Sequence, residues 1–322
     1  MIIMTKININ NEKIRFYGRN IEENGAVKFI WPFSGFAFRG SFSGKIMAEY
    51  SIESESDCML SISVDGVITE LRVAKGEGSF VLAEVSEGEH EIIVRKSTEA
   101  SISLITIKTL EFCGELGEIP EEKKLKLEII GDSITCGVGA FPDSRPWEPF
   151  ESVMHCDVMY AFPSMVAKAL DADVNVVAIA GWGITRGSLD TEHRIPDIYD
   201  YTNGFYDREI KWDFRRFVPD IAVIALGAND GGEAMGEGTF LEGAYNFMCR
   251  VREKYPEAEI LWVANMVQPG PHKELEAAVA RMEGKPIRIL DLQYDSSGQI
   301  NHPSFEAQKG YAEKITEALK SF

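Results

Sequence analysis

The hydrophobic period of the sequence changes near residue 126, and this change restricts the possible folds more than any other feature. Before it, apolar and polar residues alternate with the period of two that is typical of β-strands, as in residues 60–64. The dipeptide Asp65-Gly66 predicts a hairpin turn, and a second turn is predicted at residues 86–89. Short strands separated by turns, with no amphipathic helix between them, predict a β-sandwich of the jelly-roll type.

After residue 126, strand-like apolar runs alternate with helical periods. Strands are predicted at 125–130, 174–179, 221–226, 260–264 and 287–290, and helices at 160–170, 240–255 and 305–319. Strands that alternate with helices predict a parallel sheet covered by helices on both faces. The charged segment between the two patterns contains Gly and Pro and predicts a connection. We therefore predict a β-sandwich domain over 1–113, a linker over 114–126 and an α/β domain over 127–322.

The net charge of −18 argues against several kinds of partner. Nucleic acids and anionic membranes require clustered Lys and Arg, and a strongly anionic substrate would be repelled, so a neutral substrate is expected. The N-terminus lacks the apolar region of a secretory signal, and no stretch has the length of a membrane span. Five cysteines without a CxxC pair indicate reduced thiols, and we expect a cytoplasmic protein. The oligomeric state is not predicted.

Four residues of chemical interest follow predicted strands or precede the last predicted helix. Ser133 follows the first strand of the α/β half, Gly181 follows the second, Asn229 follows the third, and His302 precedes the terminal helix. Because ligands bind beyond the carboxyl ends of the strands in an open α/β sheet, we expect these residues to lie at one rim.

This combination of residue types is what acyl transfer requires. A serine hydroxyl attacks only when a base takes its proton, and histidine is the usual base near neutral pH. Fixed N–H donors, such as backbone amides and an asparagine side chain, stabilise the resulting oxyanion. His155 and the acidic residues near it show no metal-ligand spacing, and we expect neither a metal nor another cofactor.

Each motif also has a purely structural interpretation when it is taken alone. Asp132 and Ser133 are ordinary residues for a turn and a helix N-cap, and Asn229-Asp230 is an ordinary loop sequence. A histidine such as His302 before a helix is often a surface residue. The occurrence of all the motifs together, in this order and at these strand ends, favours a catalytic site.

The motifs together resemble the SGNH, or GDSL, hydrolase superfamily. Its four blocks are matched by GDSIT at Ser133, AGWG at Gly181, GAND at Asn229 and HP at His302. Longer segments, among them FIWPFSGFAFRGSFSG and WDFRRFVPDIAVIALGAND, are similar to the two-domain carbohydrate esterases of family two. The resemblance implies an N-terminal jelly roll and a C-terminal flavodoxin-like hydrolase domain. It also implies an enzyme that removes acetyl groups from plant-cell-wall sugars.

The resemblance further implies a role for individual residues. Ser133 is the expected nucleophile and His302 the expected general base. The expected oxyanion hole comprises Ser133, Gly181 and Asn229. Asp132 is expected to hold the turn before the nucleophile.

Supporting and substrate-contacting residues are also expected. Asp230 is expected to support the loop around Asn229 without taking part in the chemistry. Trp182, beside the oxyanion glycine, and Trp147, in a Pro-rich stretch after the nucleophile, are candidates for stacking against a sugar. Trp182 could equally pack against the core, whereas Trp147 is better placed to line a cleft.

The acid of the usual catalytic triad is missing from its place. In the superfamily it stands two or three residues before the histidine, where this sequence has Ile300 and Gln299. Two arrangements follow: a backbone carbonyl orients His302 in a Ser-His dyad, which we favour, or Asp295 or Asp291 reaches the imidazole from farther away. A carbonyl can fix the tautomer of the imidazole without supplying a charge.

The predicted function is a carboxylic ester hydrolase that removes O-acetyl groups from short acetylated oligosaccharides of the manno-, xylo- or gluco-type. One alternative is a lipase or thioesterase that acts on longer acyl chains. Another is a carbohydrate-binding protein that carries a degenerate hydrolase domain.

Overall fold

The chain is described by a computed structural model, in which residues 4–142, 156–188, 190–230, 239–266 and 270–322 are described. The chain divides into two compact units, Met1–Glu122 and Lys123–Phe322. The predicted segment 114–126 spans this division, its first residues continuing one strand and its last residues beginning another. The predicted domain bounds themselves stay a prediction.

Within its described residues, the first unit contains nine strands and no helix. The strands are β1 (Met4–Asn8), β2 (Arg15–Tyr17), β3 (Asn20–Glu23), β4 (Ala26–Phe29), β5 (Gly35–Ile52), β6 (Cys58–Val64), β7 (Val67–Val73), β8 (Gly76–Lys96) and β9 (Ile105–Leu116). They form one antiparallel sheet in the order β3-β4-β9-β5-β8-β6-β7, with β1 paired to β9 and β2 to β5. The all-β prediction is confirmed, and the jelly-roll arrangement stays a prediction.

Alternation along the strands places a cluster of aromatic rings in the core of this unit. Phe36, Phe38, Phe42 and Phe112 are nearly inaccessible to solvent, and each packs against the next at centroid distances of 5.1 to 6.2 Å. Burying rings of this size is the main favourable contribution to a core of this kind.

One predicted hairpin is confirmed and one predicted turn is wrong. Asp65 and Gly66 join β6 to β7 with φ values of 50° and 86°, as a two-residue turn requires. Residues 86–89 lie inside β8 instead of forming a turn. The register between β8 and β5 shifts here, since one residue of β5 between Phe42 and Gly44 lies opposite two residues of β8 between Val85 and Gly88. Polar residues and glycine thus mark an irregularity within a continuous pair of strands.

The second unit is an α/β domain with a parallel sheet of five strands. The strands are β10 (Leu125–Gly131), β11 (Ala172–Ala178), β12 (Ile221–Ala225), β13 (Glu259–Ala264) and β14 (Ile287–Asp291). The helices are α1 (Ser133–Cys136), α2 (Phe162–Leu170), α3 (Ile195–Ile198), α4 (Thr239–Lys254), α5 (His272–Ala280) and α6 (Phe305–Lys320). None of the helices in the described ranges is both long enough and apolar enough to cross a bilayer.

The strand order determines where a ligand binds. The order is β11-β10-β12-β13-β14, and all pairs are parallel. Strand β11 lies on one side of β10, and the later strands are added on the other side, so the order of strand addition reverses at β10. Flavodoxin-like folds have the same order, and their ligands bind at this point, beyond the carboxyl ends of the strands. The predicted α/β fold is confirmed, and Ser133 and Asn229 follow the two strands on either side of the switch.

Candidate active site

The predicted nucleophile lies in a sharp turn between a strand and a helix. β10 ends at Gly131, and α1 begins at Ser133. The turn requires glycine at 131, because a β-carbon there would lie 1.9 Å from Thr135 Oγ1. The side chain of Asp132 caps α1 by accepting a hydrogen bond of 3.0 Å from the N–H of Ile134. Ser133 is therefore held at the carboxyl end of the sheet.

The imidazole of His302 lies against this serine, 169 residues away in sequence. Its Nε2 and Ser133 Oγ are 2.8 Å apart, which is hydrogen-bond distance. The loop before His302 reaches the serine because Gly139 leaves room for it. A β-carbon at 139 would lie 2.5 Å from the carbonyl oxygen of Gln299 and 3.3 Å from His302 Cβ. The structure thus brings the two predicted catalytic side chains together.

The second ring nitrogen of His302 faces a backbone carbonyl. Nδ1 lies 3.0 Å from the carbonyl oxygen of Ile300. Because that oxygen only accepts, Nδ1 donates the hydrogen and the lone pair of Nε2 remains for the serine hydroxyl. Ile300 has a φ of 46°, in the left-handed region that β-branched residues rarely adopt. This strained conformation directs the carbonyl at the imidazole, and such strain is concentrated at functional sites.

The two candidate triad acids are engaged elsewhere. Asp295 accepts a hydrogen bond of 3.0 Å from the N–H of Ser304, the residue that caps α6. Asp291 accepts a hydrogen bond of 2.6 Å from the side chain of Asn265. The hydrogen bonds of the His302 ring among the described residues go to a hydroxyl and a carbonyl instead. This geometry supports the dyad arrangement.

The surroundings of His302 keep its imidazole neutral. Burial lowers the pKa of the imidazole below the ordinary value of 6.5, and the hydrogen bond to the Ile300 carbonyl offsets only part of this effect. A general base must be unprotonated to accept a proton, so a lowered pKa keeps His302 in the active form over a wider pH range.

The side chain of Asn229 contacts the neighbours of the other two predicted oxyanion residues. Nδ2 of Asn229 lies 3.1 Å from Asp132 Oδ2 and 3.2 Å from the carbonyl oxygen of Trp182. Asp132 immediately precedes Ser133, and Trp182 immediately follows Gly181. The Asn229 amide therefore joins the loops that carry the other two predicted donors. Gly181 has a φ of 78°, which glycine adopts without strain.

Asp230 connects two of these loops. Its buried carboxylate accepts hydrogen bonds of 2.9 Å from the N–H of Ile184 and of 2.7 Å from both the N–H and the hydroxyl of Thr185. Burial raises the pKa of Asp230, whereas the N–H groups of Ile184 and Thr185 act to lower it. From the resemblance, Asp230 was expected to support the loop around Asn229. In the structure its carboxylate joins this loop to the loop that follows Gly181.

Asp132 is a buried acid beside the nucleophile. Burial raises its pKa to about 7, the N–H of Ile134 acts to lower it, and the nearby charge of Asp230 raises it further. The side chain has no exposed surface. The sequence did not predict that this carboxylate accepts a hydrogen bond from the side chain of Asn229.

The candidate sugar contacts stay predictions. The side chain of Trp182 is only 7% exposed, and its indole lies 4.9 Å from the His193 ring and 6.0 Å from the Phe205 ring between centroids. An indole buried to this extent presents little surface to a sugar. Trp147 lies outside the described residues.

Sequence reasoning missed a buried glutamine that joins three elements of the site. Gln308 of α6 is fully buried; its Nε2 donates to the carbonyl of Ile134 and its Oε1 accepts from the N–H of Phe162, both at 3.0 Å. The available signal was a polar residue on the apolar face of a helix, three residues before Tyr311 and seven before Ile315. Within the described ranges, no group of three His, Cys, Asp or Glu side chains is arranged to hold a metal ion.

Comparison with known proteins gives relatives along most of the chain. A cellulase/esterase, CelE, of Acetivibrio thermocellus is 30% identical over 261 residues, which are 75% of this chain and 31% of that protein. An acetylxylan esterase/glucomannan deacetylase of Cellvibrio japonicus is 28% identical over 252 residues, which are 73% of this chain and 68% of that protein. The chain thus spans about a third of the length of the first relative and about two thirds of the second.

Solved structures show the same two-unit architecture. A family two carbohydrate esterase from Cellvibrio japonicus has a TM-score of 0.92 at 19% identity and covers 100% of this chain and 98% of its own. A family two carbohydrate esterase from Clostridium thermocellum, solved in complex with cellohexaose, has a TM-score of 0.85 at 25% identity and covers 96% and 98%.

The family model of the GDSL-like lipases/acylhydrolases matches residues 129–302. This range is more than half of the chain. It begins within the strand that leads to the nucleophile and ends at the histidine that contacts it. The chain belongs to the GDSL-like lipase/acylhydrolase family.

Proposed function

We propose that this protein is a serine esterase that removes O-acetyl groups from carbohydrate. The observation that carries the proposal is the distance of 2.8 Å between Ser133 Oγ and His302 Nε2, at the sheet edge that also holds Gly181 and Asn229. Relatives named as an acetylxylan esterase/glucomannan deacetylase and as a cellulase/esterase support the choice of substrate. A structural neighbour solved with cellohexaose supports a carbohydrate ligand.

In the first step Ser133 Oγ attacks the carbonyl carbon of the acetyl ester while its proton passes to His302 Nε2. The carbonyl oxygen becomes an oxyanion, which accepts hydrogen bonds from the N–H groups of Ser133 and Gly181 and from the Asn229 amide. The bond to the sugar oxygen then breaks. That oxygen takes the proton from Nε2, and the acetyl group remains on Ser133.

In the second step a water molecule attacks the acetyl-enzyme and gives its proton to His302 Nε2. The second tetrahedral intermediate collapses, acetate leaves, and Ser133 Oγ regains the proton. Throughout both steps the carbonyl of Ile300 fixes the tautomer of the imidazole through Nδ1. Without a carboxylate partner, the imidazolium is stabilised less than in a triad.

The substrate we propose is a short, uncharged acetylated oligosaccharide of the manno-, xylo- or gluco-type. A net charge of −18 disfavours polyanionic substrates. We propose that such oligosaccharides are deacetylated in the cytoplasm.

The direct test is acetate release from a panel of acetylated manno-, xylo- and gluco-oligosaccharides. We expect the wild-type protein to release acetate and Ser133→Ala to lose at least about a thousandfold in rate, as removal of a catalytic nucleophile does. Equal rates for the two proteins would refute the assignment. Binding of the oligosaccharides without turnover would instead indicate a binding protein with a degenerate hydrolase domain.

The family description also covers lipases and other acylhydrolases, which defines the second candidate. A series of p-nitrophenyl esters of increasing chain length separates the two. An acetyl esterase loses kcat/KM as the acyl chain lengthens, whereas a lipase or thioesterase gains it.

A further inference from the structure

Ile300 combines two features that are unfavourable for an isoleucine. Its φ of 46° and ψ of 40° lie in the left-handed region, where a branched side chain crowds the backbone. The residue is also 43% exposed, so much of its apolar surface gains nothing from burial. A glycine would present the same carbonyl to His302 Nδ1 without the crowding. The backbone role of residue 300 therefore does not explain the isoleucine.

Backbone hydrogen bonds on both sides of the residue hold this conformation. The N–H of Gly298 donates to the carbonyl of His302 at 2.8 Å, and the N–H of His302 donates to the carbonyl of Gln299 at 3.0 Å. The N–H of Gln299 donates to the carbonyl of Gly139 at 3.3 Å. None of these bonds uses the side chain of Ile300, so they do not require an isoleucine at this position.

The side chain leaves the backbone close to the reacting atoms. The Ile300 carbonyl oxygen lies 3.0 Å from His302 Nδ1, and covalent geometry places the α-carbon about 2.4 Å from that oxygen. The α-carbon is therefore at most about 5.4 Å from Nδ1. In the proposed mechanism, Nε2 of the same ring protonates the departing sugar oxygen. That oxygen thus lies within about 11 Å of the Ile300 α-carbon, and a short oligosaccharide spans this distance.

An exposed aliphatic surface in this place has a chemical use. The ring faces of a sugar are made of C–H groups, which pack against apolar side chains and release water on contact. The indole of Trp182, which the sequence suggested for such a contact, is only 7% exposed. We propose that the side chain of Ile300 contacts the sugar of the substrate and determines part of the preference for carbohydrate esters. The proposal rests on the esterase function proposed above.

Three substitutions separate the side chain from the carbonyl, which all of them keep. Ile300→Gly removes the aliphatic surface, and Ile300→Asn replaces it by a polar group, which provides a second variant if the first folds poorly. Glycine and asparagine adopt left-handed angles more readily than isoleucine. This relief offsets the loss of the partly buried side chain, so we expect melting temperatures within about 4 °C of wild type. Ile300→Val keeps the β-branch and most of the apolar surface.

The measurement is kcat/KM for acetate release from two esters. One is the acetylated oligosaccharide that the wild-type protein hydrolyses fastest, and the other is ethyl acetate, whose leaving group carries no sugar. The ratio of the two values cancels any change in the dyad that affects both esters equally. We expect Ile300→Gly and Ile300→Asn to lower this ratio about 5- to 20-fold, mainly through a higher KM for the oligosaccharide. Ile300→Val is expected to keep it within about threefold.

Ile210→Asn is the matched control. Ile210 is 44% exposed, and its carbonyl likewise accepts a hydrogen bond, from the N–H of Thr202 at 2.9 Å. It lies between α3 and β12, in a segment that contributes none of the residues assigned to the site. We expect kcat/KM for both esters to stay within about twofold of wild type.

Two results would overturn the proposal for Ile300 alone. One is an unchanged ratio in Ile300→Gly and Ile300→Asn. The other is an equal loss for the two esters, because the side chain would then act on the dyad and not on the sugar. If the wild-type protein released no acetate from any oligosaccharide of the panel, the proposed function itself would be refuted.

Discussion

The chemistry of this site depends on two hydrogen bonds of one imidazole. His302 lies 2.8 Å from the Ser133 hydroxyl through Nε2 and 3.0 Å from the Ile300 carbonyl through Nδ1. A neutral partner at Nδ1 orients the ring but adds no negative charge, so burial alone dominates the pKa of the imidazole and lowers it. A triad would raise that pKa instead.

The pH dependence of kcat/KM distinguishes these arrangements. Activity requires neutral His302 and therefore falls as the pH falls through the imidazole pKa. In the Asp132→Asn variant we expect the midpoint of this acid limb to lie below 6.5, the ordinary value for the imidazole. The profile is best measured for Asp132→Asn as well as wild type, since Asp132 titrates near 7 and the variant removes that group. A midpoint above 6.5 in the variant would indicate a carboxylate partner for His302.

Asparagine substitutions at the two candidate acids make a second test at this scale. Asp295→Asn and Asp291→Asn are expected to change kcat by less than about tenfold, because their carboxylates accept hydrogen bonds from Ser304 and Asn265. Loss of a true triad acid costs about ten-thousand-fold. A loss comparable with that of His302→Ala, in either variant, would contradict the dyad.

At the scale of elements, the sequence predicted the features that depend on local pattern. The strands of the α/β half, its long helices and the positions of Ser133 and His302 follow from periodicity and from the residues at strand ends. The turn predicted at residues 86–89 was wrong because a bulge and a turn use the same residue types. Helix α5 was missed, and its short apolar stripe gave little signal.

The parts of the site that were missed depend on tertiary contacts. The left-handed conformation of Ile300 is one that β-branched residues rarely adopt, so the residue type did not predict it. The close approach permitted by Gly139 involves residues far apart in sequence. The same holds for Gln308, which links α6 to the turn that carries the nucleophile. No local pattern specifies such contacts.

Gln308 therefore provides a test at the element scale. Gln308→Met keeps the side-chain length but leaves the N–H of Phe162 buried without its partner, at a cost of about 1–3 kcal/mol in the free energy of unfolding. The carbonyl of Ile134 loses the bond from Gln308 and keeps the hydrogen bond from the N–H of Gly137. We expect kcat to fall by about tenfold or more as His302 shifts relative to the serine. Kinetics together with chemical denaturation measure the two effects.

Thr316→Val is the control on the same helix. Thr316 is 8% exposed, and its hydroxyl has no hydrogen-bond partner among the described residues. We expect wild-type kcat and unchanged or slightly higher stability for this variant. Wild-type kinetics for Gln308→Met would show that this linkage does not position the dyad.

At the scale of the whole molecule, the chain has two units. The first is an antiparallel β unit, and the second has its own parallel sheet and helices and contains the range that the family model matches. The family model ends at His302, so every residue assigned a catalytic role lies in the second unit. The residues assigned to the site in the described ranges contribute side chains and backbone groups of this unit. The proposed chemistry accordingly needs only a serine, a histidine and fixed donors.

The most direct measurement is to locate the acetyl group during turnover. Wild-type protein mixed with an acetylated oligosaccharide, quenched in acid and digested, is predicted to carry acetate on the peptide that contains Ser133. The same treatment of Ser133→Ala should leave every peptide unmodified. Turnover with the acetyl group on another residue, or with Ser133 unmodified under conditions that accumulate the intermediate, would contradict the account.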